Sequence, residues 1–200
     1  MKALKILGLL GILALAAGYA RADKNNSLYL LANQTSLNPT EYNAKIRQVS
    51  AGDVFGSAST IGLGYEKSFS DKVSGGLEVS VNSQIKDAVK EDLSGKKIKY
   101  GSNSLSLYNI DPQIIYKIFG KTTSIEAGIG PAITIASVSS KNETDERNSN
   151  VSAIGVKASV SLKQKIKNYF IKLNASYRTG KNDILDVSGS NVGVSAGVEF

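Results

Sequence analysis

Eight charged residues recur at one phase of a two-residue alternation: Glu66, Glu78, Glu126 and Glu199, with Lys117, Lys157, Lys172 and Arg178. Their companions on that phase are Gly, Ser, Thr and Asn, while the opposite phase carries Val, Ile, Leu, Ala and Tyr. Four acids and four bases on one face can neutralise each other, and buried charge is costly unless it is paired. The chemistry on offer is ion pairing. The 200 residues contain neither histidine nor cysteine. The commonest general base, the Ser-His-Asp triad and the imidazole and thiolate metal ligands are therefore all missing. Without cysteine there is also no disulfide and no lipid-bearing N-terminal thiol. We expect no enzyme, no metal and no cofactor.

The segments that hold these charges are alternating stretches of about ten residues, the pattern of transmembrane β-strands. "TIGLGYEKSF" sets Ile61, Leu63, Tyr65 and Phe69 against Gly62, Gly64, Glu66 and Ser68, which leaves Lys67 on the apolar face. "VSGGLEVSV" sets Val73, Leu77, Val79 and Val81 against Ser74, Gly76, Glu78 and Ser80. "IDPQIIYKI" opposes Ile110, Ile114, Tyr116 and Ile118 to Asp111, Gln113 and Lys117. "SIEAGIGPAITIA", "AIGVKASVSL", "YFIKLNASYR" and the closing "VGVSAGVEF" repeat the scheme, and "SLYLLANQTS" (27–36) supplies a first strand with the poorest alternation. The total is eight strands. Pro112 and Pro131 lie inside proposed strands and predict a bulge or local irregularity.

Connector lengths set the orientation. Short links at 70–72, 119–123 and about 163–168 alternate with long polar ones at 37–58, 85–103, 139–150 and 180–189. Periplasmic turns and extracellular loops of outer-membrane barrels alternate in this way. Phe69, Tyr116, Phe119, Tyr169 and Phe200 all fall at the short-turn ends, as an aromatic belt at one membrane interface requires. The charged, small-residue face then points into a narrow lumen, where a salt-bridge network is expected. Lys117 and Glu126 flank the "FGKTT" turn and should be direct neighbours. Glu66 and Glu78 should face each other across "SDK" and draw their cations from the far wall.

The first 22 residues read as a leader. Lys2 and Lys5 precede "ILGLLGILALAAG", and small residues approach a cut after Ala22 or, as second choice, Ala20. The apolar run is shorter than the ~18–20 residues of a spanning helix. Residues 1–22 are thus a signal peptide and 23–200 the barrel domain. Of 24 bases and 17 acids, Lys2, Lys5 and Arg21 leave with the leader. The remaining lysines are scattered along the chain, which argues against a nucleic-acid surface.

The signal, the eight alternating strands, "AGIGPA" (127–132) and the aromatic-ended last strand together resemble the small outer-membrane barrels of the opacity-protein and outer-membrane-protein-A type. The resemblance implies an all-β, eight-stranded antiparallel up-and-down barrel surrounded by outer-membrane lipid and lipopolysaccharide. It further implies that Val192, Val194, Val198 and Phe200 form the signal that the barrel-assembly machinery reads. The functional expectation is an outer-membrane barrel with a charge-plugged lumen, structural or presenting its loops to a host or surface ligand. A narrow ion-conducting pore is the alternative, and a soluble periplasmic lipid-binding barrel the third reading.

Overall fold

The computed structural model describes residues 25–37, 57–91, 97–142, 146–181 and 186–200. The proposed leader (1–22), most of the 37–58 loop and the tip of the 180–189 loop lie outside the described residues. Eight strands follow in order: β1 (Asn26–Leu37), β2 (Ser57–Ser68), β3 (Val73–Glu91), β4 (Lys97–Phe119), β5 (Thr123–Asn142), β6 (Glu146–Ile166), β7 (Tyr169–Arg178) and β8 (Gly189–Glu199). Each pairs antiparallel with the next, and β8 pairs with β1 from Ser27 opposite Glu199 to Leu37 opposite Gly189. The sheet is a closed barrel, which leaves the membrane-height strands without an open edge.

The alternation resolves into two faces. Ile61, Val79, Ile129, Val160, Leu173 and Val192 are exposed on the outer wall, and Phe69, Tyr116, Phe119 and Tyr169 are exposed near the short turns. Val194 and Ala196 are exposed on the same outer wall, and Val198 and Phe200 are half-buried. At the other end Tyr108 and Tyr177 also face out. Tyr108 to Tyr116 and Tyr169 to Tyr177 are each eight residues. That is roughly 27 Å of strand, or about 20 Å along the axis at ~40° tilt, close to the apolar band height of such barrels.

Two of the proposed long loops are instead strand. β3 to β6 span 19, 23, 20 and 21 residues, whereas β1, β2, β7 and β8 span 12, 12, 10 and 11. Residues 85–91 pair with 97–104, and 138–141 with 146–149, as continuations of the strands; the β3–β4 ladder runs to Glu91 opposite Lys97 with one irregularity at Ala88/Val89. Polar residues on both faces erase the apolar alternation there, but backbone pairing does not depend on it. The third short link is also shorter than expected. β6 runs to Ile166 and turns on Lys167 and Asn168, with Lys167 at φ 59°.

The prolines interrupt a ladder without shifting it. The β4–β5 register sets Ile110 against Ile133 and Ile114 against Ile129, with pairing absent between them. The same register puts Pro112 opposite Pro131, so neither strand can donate an N–H at that point. A Cβ on Gly130 would lie 1.9 Å from the Pro112 carbonyl oxygen. Only glycine permits that approach. Gly120, at φ 92°, does the equivalent service in the β4–β5 turn.

Candidate functional site: the barrel lumen

The inward face stacks charged side chains in two layers. In the layer nearer the short turns, Lys172 on β7 is 4 % exposed and bridges Glu66 on β2 and Glu126 on β5, the latter at 2.9 Å. Below it, Glu199 on β8 receives Lys163 at 2.8 Å and Lys165 at 2.5 Å, both from β6. The upper layer joins Glu78, Asp111, Lys157 and Arg178. Lys157 pairs with Glu78 and lies 3.3 Å from Asp111, and Arg178 pairs with Asp111. Arg178 also donates to Asn109 and, at 3.0 Å, to Thr134, whose hydroxyl donates to Asn109 at 2.9 Å. The Tyr29 hydroxyl donates to Glu78 at 2.9 Å and ties the two layers together.

None of these ion pairs joins adjacent strands; each skips one strand or two of the closed barrel. Along the ladders, like charges sit side by side: Glu78 opposite Asp111, Lys157 opposite Arg178, Lys163 opposite Lys172. Adjacent inward Cβ atoms are only ~5 Å apart, so like neighbours repel. An eight-stranded tube is narrow enough for long side chains to reach the opposite wall. The charges therefore pair between β2 and β7, β5 and β7, β3 and β6, β4 and β6, β4 and β7, and β6 and β8.

This geometry bears out one expected adjacency, though not as an ion pair, and corrects another. Lys117 and Glu126 are opposite each other in register, but Glu126 pairs with Lys172, and Lys117 has no ion pair among the described residues. Glu66 and Glu78 do not face each other. Register sets Glu66 opposite Gly76 and Glu78 opposite Gly64, and each carboxylate meets a different lysine.

Five lumen residues lay outside the expected set. Asp111 shares the face of Lys117 in "IDPQIIYKI", so its phase was a usable signal. Lys163 and Lys165 continue the phase of Lys157 into a stretch expected to be turn, and Phe170 is in phase with Lys172. Tyr29 carried no such signal, because "LYLLA" has no polar phase to mark its inner face. Tyr29 and Phe170 meet edge to face at 6.0 Å, and Lys163 lies 4.2 Å above the Phe170 ring. Such contacts stabilise a desolvated ammonium.

Two cavities lie in line along this stack. A vestibule of about 240 Å³ opens at the short-turn end, lined by Lys117, Lys165, Ser27, Ser74 and Ser124 among others. A chamber of about 30 Å³, enough for about one water, lies between the charged layers beside Asn33, Gln113, Ser159 and Asn174. Glu66 and Glu126 border both. Toward the long-hairpin end the filling turns apolar, with Leu37, Leu105, Leu107, Ala136 and Ala153 packed around Val187 from the β7–β8 connection. Among the described residues no group of three or more acids could hold a metal ion.

A closed eight-stranded barrel with its apolar wall outside and its ion pairs inside has the fold of the small outer-membrane β-barrels. No protein-family model matches the sequence, and no curated protein matches it. Solved structures do. The outer membrane protein OprG from Pseudomonas aeruginosa is similar with a TM-score of 0.57 at 10% identity, covering 88% of this chain and 97% of that one. Neisserial surface protein A gives 0.55 at 11%, over 90% and 100%. Ail, the attachment invasion locus protein of Yersinia pestis, gives 0.53 at 12%, over 86% and 98%. At these identities the likeness is one of fold.

Proposed function

We propose that the chain is an integral outer-membrane protein with a charge-plugged lumen. It presents the β3–β4 and β5–β6 hairpins at the cell surface and has a structural or surface-interaction role, not a catalytic one. The inversion of faces carries this reading. Large aliphatic and aromatic side chains cover the outer wall while Lys172, Glu66, Glu126, Asp111 and Lys157 are buried inside. A soluble lipid-binding barrel needs the reverse, an apolar pocket within a charged exterior.

In this reading the leader over 1–22 is removed after Ala22 or Ala20, and 23–200 is the mature domain. Val192, Val194, Val198 and Phe200 lie along the seam strand and serve as the assembly signal. Outer-membrane lipid and lipopolysaccharide surround the wall, and a host or surface ligand is met at the hairpins. Two structural neighbours, a surface protein and an attachment invasion locus protein, support that last point by their names.

Gel mobility tests the reading. Unheated protein from an outer-membrane fraction should run as a compact band that shifts on boiling; release from the membrane by salt alone overturns it. The two in-line cavities favour a second reading, a narrow ion-conducting pore held shut at Lys172. A plug predicts no conductance steps in planar bilayers, and steady steps from the wild-type chain would establish the pore instead.

A further inference from the structure

The outer wall carries one group of donors near the short turns that the lumen does not explain. Lys67 on β2 is exposed and points outward. It sits one outward position nearer mid-barrel than Phe69, whose ring is 69 % exposed. If the aromatic belt marks the interface, the Lys67 amine emerges at or inside headgroup level, and its stem must snorkel to reach a polar group. Its two ladder partners are Asn26 on β1 and Gly75 on β3.

Those partners shape a site. Asn26 is on the same outward phase, and its Oδ1 accepts the Tyr65 hydroxyl at 2.8 Å. With the amide oxygen committed, the Asn26 NH2 is left as a donor beside the lysine. Gly75 contributes no side chain, and the Phe69 ring leans over that position, 2.9 Å from where a Cβ would stand. An ammonium and an oriented amide N–H on a lipid-facing wall, flanked by an aromatic ring, favour an anionic oxygen acceptor. The β2–β3 turn below carries exposed Lys72 beside exposed Asp71, and the other short turns of the same rim add exposed Lys121 (β4–β5) and Lys167 (β6–β7); none of these lysines has an ion pair among the described residues.

We infer that Lys67 and Asn26 bind the phosphate of an anionic phospholipid headgroup in the periplasmic leaflet, with Tyr65 as a positioning residue and the turn lysines supplying the surrounding positive potential. The inference rests on the outer-membrane reading, which gives the wall its lipid and the short turns their side. The excess of lysines over carboxylates at this rim favours a headgroup without an ammonium, such as phosphatidylglycerol, over a zwitterionic one.

The test uses the full chain folded into phosphatidylcholine nanodiscs containing about one-fifth phosphatidylglycerol, with protein-bound lipid counted by native mass spectrometry. Phosphatidylglycerol should be enriched over its bulk share, and Lys67→Gln should lower the ratio of bound phosphatidylglycerol to bound phosphatidylcholine by about fivefold, the effect of one lysine at an anionic surface. Tyr65→Phe, which leaves Lys67 in place but frees the Asn26 amide to rotate, should give a smaller loss, and Lys67→Arg should keep most of the enrichment. Equal retention by wild type and Lys67→Gln overturns the inference, as does displacement of the bound lipid by inorganic phosphate, which would make this a free-anion site. The outer-membrane reading fails separately, if the wild-type chain gives no heat-modifiable band in any lipid.

Discussion

Around Lys172 the lumen is filled by ammonium and carboxylate groups. Around Leu105, toward the hairpin end, the same tube is filled by Leu, Ala and Val. Both fillings exclude bulk water, but they do so with different tolerances. The apolar cap is held by contact area, so a truncation costs in proportion to the cavity it leaves and strands no charge. The ionic layers depend on complete pairing, because each charge is buried only on condition that its partner is present. A single substitution should therefore cost more in the lower lumen than a comparable truncation in the upper one.

Lys172→Met is the harshest test of that contrast. It leaves Glu66 and Glu126 facing each other without a cation, and loss of one partner from a buried pair costs about 3–5 kcal/mol. Urea unfolding of the lipid-folded barrel should show a lowered midpoint. Adding Glu66→Gln and Glu126→Gln to the same chain should restore much of the loss. A midpoint unmoved by Lys172→Met would show that water already solvates the layer. Leu105→Ala comes next. Its side chain is 0 % exposed, and an aliphatic truncation in a packed core costs about 2–5 kcal/mol, depending on how far the site can collapse. If it proves as costly as Lys172→Met, the contrast between the two fillings fails.

Tyr29→Phe probes the join between the charged layers. It deletes the hydroxyl that donates to Glu78 but keeps the ring against Phe170. Glu78 still holds Lys157, so no carboxylate is stranded and the loss should be about 1 kcal/mol, the worth of one hydrogen bond. The same urea midpoint reads it. A loss as large as that of Lys172→Met would mean that the tyrosine organises both layers.

Most of the barrel was legible because membrane-height strands must bury one face and show the other, which writes a period of two into β2 through β8. The β3–β4 and β5–β6 hairpins were not, since above the apolar band both faces can be polar and the period vanishes while the backbone pairing continues. The inward direction of Lys163 and Lys165 was available from phase alone but was cut off by ending β6 too early. Pairing partners were the least legible feature. Sequence proximity across a turn suggested Lys117 with Glu126, whereas the partners are chosen across the lumen, by a closure that no local stretch encodes.

Lys117 supplies the smallest and most discriminating change. It lies opposite Glu126 on the neighbouring strand and lines the open vestibule, half-buried with no ion pair among the described residues. If ladder adjacency governed the network, Lys117→Gln would strand Glu126 and cost as much as breaking any buried pair. Because Glu126 is held at 2.9 Å by Lys172 from two strands away, the substitution removes only a lesser, longer-range attraction at the vestibule mouth. The expected change is below about 0.5 kcal/mol. A double-mutant cycle between Lys117→Gln and Glu126→Gln should return a small coupling, against a large one for Lys172→Met with Glu126→Gln. A coupling for Lys117 that matched the Lys172 value would return the network to the ladder and remove the reason for treating the lumen as bridged from wall to wall.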